Sequence, residues 1–221
     1  MLKTWAKKYL PDEILQIYRS YLQKRLENLS SIPSADDVLQ VGAYTYGTDN
    51  LKILFRDSGE KVEIGKFCSI ARDVTIFLGG GHRHDWVSTY PFGHIEIQVF
   101  GEEKSAGHPS SNGSVVIGND VWIGHGVTIM SGINIGDGAV VASNSHVVSD
   151  IPAYGIVGGN PAKIIRMRFE NDTISRLLAI KWWDFPTSEI KLTKGQLCHE
   201  PSDDVLSALE IVRKRISQRD L

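Results

Sequence analysis

From Ile117 onward an aliphatic residue returns at every sixth position: Ile117, Ile123, Ile129, Ile135, Val141 and Val147. A second row follows four places behind, at Val121, Val127, Ile133, Ala139, Ser145 and Ile151. The residue after the lead position is small at Gly118, Gly124, Gly136 and Ala142. A helix would repeat its apolar positions at three and four, and a simple strand at two. A period of six, β-branched and rich in Gly, predicts a short strand, a corner and another short strand, repeated as a parallel β-helix. Its lead side chains then stack inside as aliphatic ladders. A shorter block of the same kind opens at Val41-Gly42 and continues in period six at Ile64, Ile70 and Ile76. Between them, TDNLKILFRDSGEK reads as a hairpin with a DSG turn.

The 41 residues from Ile76 to Ile117 are not a multiple of six, so the repeat is interrupted. The insertion, residues 77–114, carries Gly79, Gly80 and Gly81 in a row, several histidines and several aromatics. A long loop on a regular scaffold, furnished in this way, points to function. Outside the repeat, helical spacing places Ile14, Ile17, Tyr18, Tyr21, Leu22 and Leu26 on one face of a helix over 12–29, behind Pro11-Asp12. SSIPSADD, residues 30–37, reads as a turn or linker. Two more helices are predicted over 172–183, capped by Asp172, and over 202–217, whose acidic start and basic end suit the helix dipole. The predicted organisation is a helical segment at 1–37, a mainly β solenoid at 38–168 with its loop at 77–114, and a helical extension at 169–221.

Composition narrows the function classes. A net charge of -2 over 221 residues gives no support for a nucleic-acid surface. No apolar run is long enough to span a bilayer, and the N-terminal basic clusters precede no sustained apolar stretch, so no signal peptide and no stable membrane insertion are expected. Lys3, Lys7 and Lys8 ahead of the first helix leave a weaker membrane-surface reading open. Cys68 and Cys198 match no metal spacing and read as reduced thiols, Cys68 at a buried repeat position, in a cytoplasmic protein. HExxH, paired CxxC and the G-x-S-x-G elbow are all absent, so neither a metal nor a serine hydrolase is expected.

Four stretches carry a family resemblance: GGGHRHDWVSTYPF, IGNDVWIGHGVTIMSGINIGDGAVV, VVSDIPAYGIVGGNPAKIIRMRF and the trailing WWDFP. Together they resemble the hexapeptide-repeat acyltransferases, in the xenobiotic branch that includes chloramphenicol and streptogramin acetyltransferases. The resemblance covers roughly residues 38–190. It implies a left-handed parallel β-helix, a homotrimer with active sites between subunits, and acetyl-CoA as co-substrate for direct transfer without an acyl-enzyme. Such transfer needs a base for the acceptor's proton, and imidazole titrates near neutrality. The loop supplies His82, which matches the family's catalytic histidine, with His84 as its rival. Asp85 orients an imidazole, binds a polar acceptor or is simply exposed. Trp86, Tyr90 and Tyr44 complete the expected acceptor side, and Phe92 reads as loop packing. His125 reads as a structural residue, while His94, His108, His146 and His199 carry no motif signal. For the CoA arm, the resemblance and the small side chains suggest Trp122, Gly124, Ala142 and Ser143 along the wall, Asn160 in the Gly-rich turn, and Lys163 and Arg166 at the phosphates. The expected acceptor is a sugar or surface-polysaccharide unit. The alternatives are a chloramphenicol- or streptogramin-type antibiotic, a different acyl donor such as a carrier protein, and a β-helix that only binds.

Overall fold

A computed structural model describes residues 38–102 and 107–219 of the chain. The expected helix over 12–29 and the linker at 30–37 lie outside the described residues. The solenoid is built from rungs of two- to four-residue strands. The first rungs hold β1 (Leu39–Val41), β2 (Lys52–Leu54), β3 (Val62–Ile64), β4 (Ser69–Ile70) and β5 (Thr75–Phe77). The loop follows, with a one-turn helix α1 (Ile97–Phe100). Beyond it come β6 (Val115–Ile117), β7 (Trp122–Ile123), β8 (Thr128–Ile129), β9 (Asn134–Ile135), β10 (Val140–Val141), β11 (His146–Val147) and β12 (Gly155–Gly158), with β13 (Lys163–Met167) returning antiparallel on β12.

These strands form three parallel faces, ordered β1-β3-β6-β9, β4-β7-β10-β12 and β2-β5-β8-β11. The ladders run as expected: Ile64 pairs with Ile117 and Ile117 with Ile135, Ile70 with Ile123 and Ile123 with Val141, Ile76 with Ile129 and Ile129 with Val147. All nine side chains are buried. The small residue after the lead is explained by how closely the corners stack. A Cβ on Gly118 would lie 2.7 Å from the backbone N of Asp137, and one on Gly136 2.4 Å from that of Ala153. Side chains brace the same corner: the Asp137 carboxylate accepts from the Asn119 N–H at 2.7 Å, and Asn119 Oδ1 from the Lys66 N–H at 2.9 Å.

Two sequence expectations are corrected. Residues 48–61 are not a hairpin. β2 pairs in parallel with β5, and β3 with β1 and β6, so the segment is an ordinary rung. Alternation around Ile53 marks a strand with one face inward but cannot say which strand it pairs with. Ile151, placed in the second row by its spacing, instead bridges to Ile135 in the lead row. The turn after Val147 is two residues shorter than its predecessors, and Val157, not residue 159, pairs with Val141.

The solenoid's far end is covered by α2 (Asn171–Ile180), α3 (Thr187–Leu197) and α4 (Asp203–Arg219). Ile174, Leu177, Ile180, Leu206, Leu209, Val212 and Ile216 bury a second core together with Tyr154 and Phe185. The α2 boundary residue is Glu170, without a side-chain cap, and Asp172 lies in the first turn. α3 was not apparent in the sequence because its buried positions are the polar Glu189 and Thr193. Glu189 accepts an ion pair from Arg215 of α4. Among the described residues no helix is long and apolar enough to cross a membrane.

Candidate active site

The loop leaves the solenoid where β5 ends, at the corner between the third face and the first. Leu78 is still buried in the core, and the chain then turns outward through Gly79–Gly81. Gly80 has φ 78°, and a Cβ there would lie 2.1 Å from the Phe55 ring, so only glycine lets the backbone pass. The loop's base is closed by a two-way pair: Gly81 N–H donates to Ser110 C=O at 2.9 Å and Ser110 N–H to Gly81 C=O at 2.7 Å. Residues distant in sequence, 81–85 and 107–111, are thereby held side by side.

Between them lies an open cleft of about 530 Å³ lined by His82, Arg83, His84, Asp85, Pro109 and Ser110, among others. The His82 ring is exposed, and its Nδ1 is 2.7 Å from the Thr89 carbonyl oxygen. A carbonyl only accepts, so Nδ1 carries the proton and Nε2 is left with its lone pair. That is the tautomer a general base requires. Arg83 and Asp85 form a two-point ion pair, with Nε to Oδ1 at 2.7 Å. The guanidinium holds the Asp85 carboxyl down to about 2 and also lies 5.2 Å over the Trp86 ring. Asp85 is thus committed to Arg83 and not to an imidazole. His84 is exposed beside it. Tyr90, Phe92 and Phe100 pack ring to ring, Tyr90 and Phe92 at 4.8 Å and Phe92 and Phe100 at 5.2 Å.

Tyr44 is elsewhere. It stacks on Phe67 at 4.8 Å, its hydroxyl hydrogen-bonds with Thr187 of α3 at 2.8 Å, and Phe67 in turn meets Trp182. Within one chain it joins the helical cover and not the loop cluster. His108, which carries no motif signal, joins the loop cluster. Its ring lies 5.1 Å from those of both His82 and His94, and 6.0 Å from that of Trp86. Only the loop's closure brings it there, and no spacing signals that.

A second concavity, about 710 Å³, runs along the outer side of the β4-β7-β10-β12 face. Five of the seven residues expected on the CoA side line it: Trp122, Gly124, Ala142, Ser143 and Arg166. Gly124 has a structural duty as well, because a Cβ would lie 2.6 Å from the Ser143 backbone N. Asn160 and Lys163 are exposed at the β12–β13 turn and outside this groove. Arg168 also lines the groove but is engaged. It donates to Asp120 at 3.2 Å and to the Gly138 carbonyl at 2.7 Å, and lies over the Tyr154 and Phe169 rings. Burial raises the Asp120 carboxyl's pKa, with Arg168 pulling the other way. The groove and the His82 cleft share no lining residue. His125, as expected of an outer corner residue, lies 3.5 Å from Asp73.

A family model for the bacterial transferase hexapeptide (six repeats) matches residues 114–149. Among curated relatives, the chloramphenicol acetyltransferase of Agrobacterium fabrum is 43% identical over 166 residues, spanning 69% of this chain and 78% of its own. A probable macrolide acetyltransferase of Lysinibacillus sphaericus is 44% identical over 178 residues, 78% of this chain and 93% of its own. The virginiamycin A acetyltransferase of Staphylococcus aureus is 39% identical over 186 residues, 79% and 81%. With three parallel faces, a period of six and relatives matched over most of their length, the chain belongs to the hexapeptide-repeat family with its left-handed β-helix, in the xenobiotic branch, and is an acetyltransferase.

Proposed function

We propose that the protein transfers the acetyl group of acetyl-CoA to a hydroxyl of a small antibiotic of the chloramphenicol or streptogramin type. The observation that carries the chemistry is the Nδ1–H of His82 donating to the Thr89 carbonyl in an open cleft. Nε2 accepts the acceptor's hydroxyl proton as its oxygen attacks the thioester carbonyl. Backbone N–H groups stabilise the tetrahedral oxyanion. On collapse the C–S bond breaks, and the departing thiolate takes the proton back from the His82 imidazolium as free CoA. Asp85, ionised and tied to Arg83, lines the cleft on the acceptor's side.

The acceptor class rests on the relatives: all three named above modify antibiotics, which favours the antibiotic over the sugar. On the donor side, Trp122, Ala142, Ser143 and Arg166 line the groove for the CoA arm, and Arg166 supplies a cation for its phosphates. Cleft and groove share no residue, which supports a working site where one chain's loop meets another chain's groove in a homotrimer. The loop's uncovered Val87, Phe92, Val99 and Phe100 suit such a contact.

The test is thiol release from acetyl-CoA by purified protein with chloramphenicol and virginiamycin A in one panel, and free and nucleotide-linked sugars in another. Turnover of a drug is expected; turnover of sugars alone would overturn the acceptor. His82→Ala should lower kcat on the order of 10²–10⁴-fold while CoA binding, followed by calorimetry, is retained. Near-normal kcat would move the base to His84.

A further inference from the structure

We propose that His108 is a positioning residue for His82, a second imidazole that stays neutral and supports the charge His82 takes up in each turnover. The inference rests on the reading of His82 as the base. Its ground is geometric. The Gly81–Ser110 pair closes the loop and sets the His108 ring edge-on to that of His82, 5.1 Å between centroids with the planes at 88°. His94 and Trp86 also pack against this ring.

His108 is an odd choice for packing alone. Both its ring nitrogens are buried, and neither has a hydrogen-bond partner among the described residues. A neutral imidazole always presents one N–H donor and one acceptor, and neither is used among the described residues. A phenyl or isobutyl group would fill the same space without that penalty. The unused polarity becomes useful when His82 turns into an imidazolium, because a neutral imidazole carries a ring dipole and a nitrogen lone pair that a phenyl or isobutyl group lacks. A protonated His108 would repel it.

The surroundings favour the neutral form of His108. Among the described residues, the titratable groups packed near it are His82, His94 and, beyond Trp86, the Arg83–Asp85 pair, whose charges offset one another. Burial is the main force holding the His108 pKa below the usual imidazole range, and the neighbouring His94 and His82 add to it.

The experiment compares wild type, His82→Ala, His108→Phe and His108→Leu in kcat, KM for acetyl-CoA, and the pH dependence of kcat/KM. Both His108 variants should remain folded and keep KM. They should lose kcat roughly 10–100-fold, the range for outer partners of a functional imidazole, with the acid limb moved to lower pH. A folded His108 variant with wild-type kcat and an unmoved acid limb overturns the inference while leaving the base intact, provided His82→Ala is inactive. An active His82→Ala overturns the base reading, and the inference falls with it. A third readout needs no variant: ¹⁵N NMR of the wild-type imidazoles should show His82 titrating while His108 stays neutral. Protonation of His108 ahead of His82 would sink the proposal even if neither variant folded.

Discussion

Tyr154 and His108 both bury polar atoms that have no partner among the described residues, and they call for different expectations. Tyr154 is almost fully enclosed, 1% exposed, between the last rung and the helical cover. Burial raises its pKa well above the usual phenol value, with Asp120 and Asp137 adding to the rise and Arg168 opposing it. Its hydroxyl contributes nothing that the ring does not, so Tyr154→Phe should be within about 1 kcal/mol of wild type or more stable. Urea midpoints decide this, and a loss of roughly 2 kcal/mol or more would reveal a partner for the hydroxyl. His108 instead links stability to pH. Its folded pKa lies below the unfolded value near 6.5, so the unfolded chain binds the proton more readily. The contribution is fully present above the unfolded pKa and is lost as pH falls through the folded one. His108→Phe should therefore flatten part of the decline in urea midpoint between pH 7.5 and pH 5; an unchanged decline would contradict the burial of the ring. At this scale the sequence was legible where motif and geometry coincide. His82 follows the glycines that carry the loop outward, and its tautomer needs only Thr89, seven residues on. His108 was illegible because its meaning depends on a loop closing over more than twenty residues.

Among the elements, the rungs were the most readable because each buried side chain answers to the rung above and the rung below. Ile129 illustrates this: fully buried, it lies between Ile76 and Val147 in the third ladder. Ile129→Val should cost about 1 kcal/mol by removing one methyl. Ile129→Asp should give no folded protein, since the carboxylate would be buried with nothing to pair with. Ile211→Asp on α4, at a position 65% exposed, is the control and should leave thermal unfolding by circular dichroism unchanged. A folded Ile129→Asp would mean that the ladder tolerates water. Elements whose pairing is not local were misread. The rung at 48–61 has the alternation of a hairpin strand, but its partner β5 lies beyond the next rung's first two strands. α3 buries Glu189 and Thr193 and packs only Ile190 and Leu197 on the second core, so its inward face carries no continuous apolar stripe, and the Glu189–Arg215 pair depends on α4 folding beside it.

For the whole molecule, the division of labour between cleft and groove is the property that can be measured most directly. His82 stands on a loop at one corner of the prism, while Trp122, Ser143 and Arg166 line the outside of one of its faces, and the two linings are disjoint. If each site takes its base from one chain and its CoA groove from the next, two inactive variants can repair each other. His82→Ala keeps an intact groove. Ser143→Trp, at an exposed position of the lining, blocks the groove and keeps the base. Each alone should be close to inactive. Co-expressed in equal amounts, the chains assemble at random around a closed ring, and an interface works only when the blocked chain gives its His82 to the open groove of the other. Half of the chains can give the base and half of their neighbours the groove, so about a quarter of the wild-type rate should return. Sedimentation should show the same assembly for wild type, both variants and the mixture. A mixed sample no more active than its parents, with assembly intact, would place base and groove of each working site in one chain and require the loop to fold back onto its own solenoid.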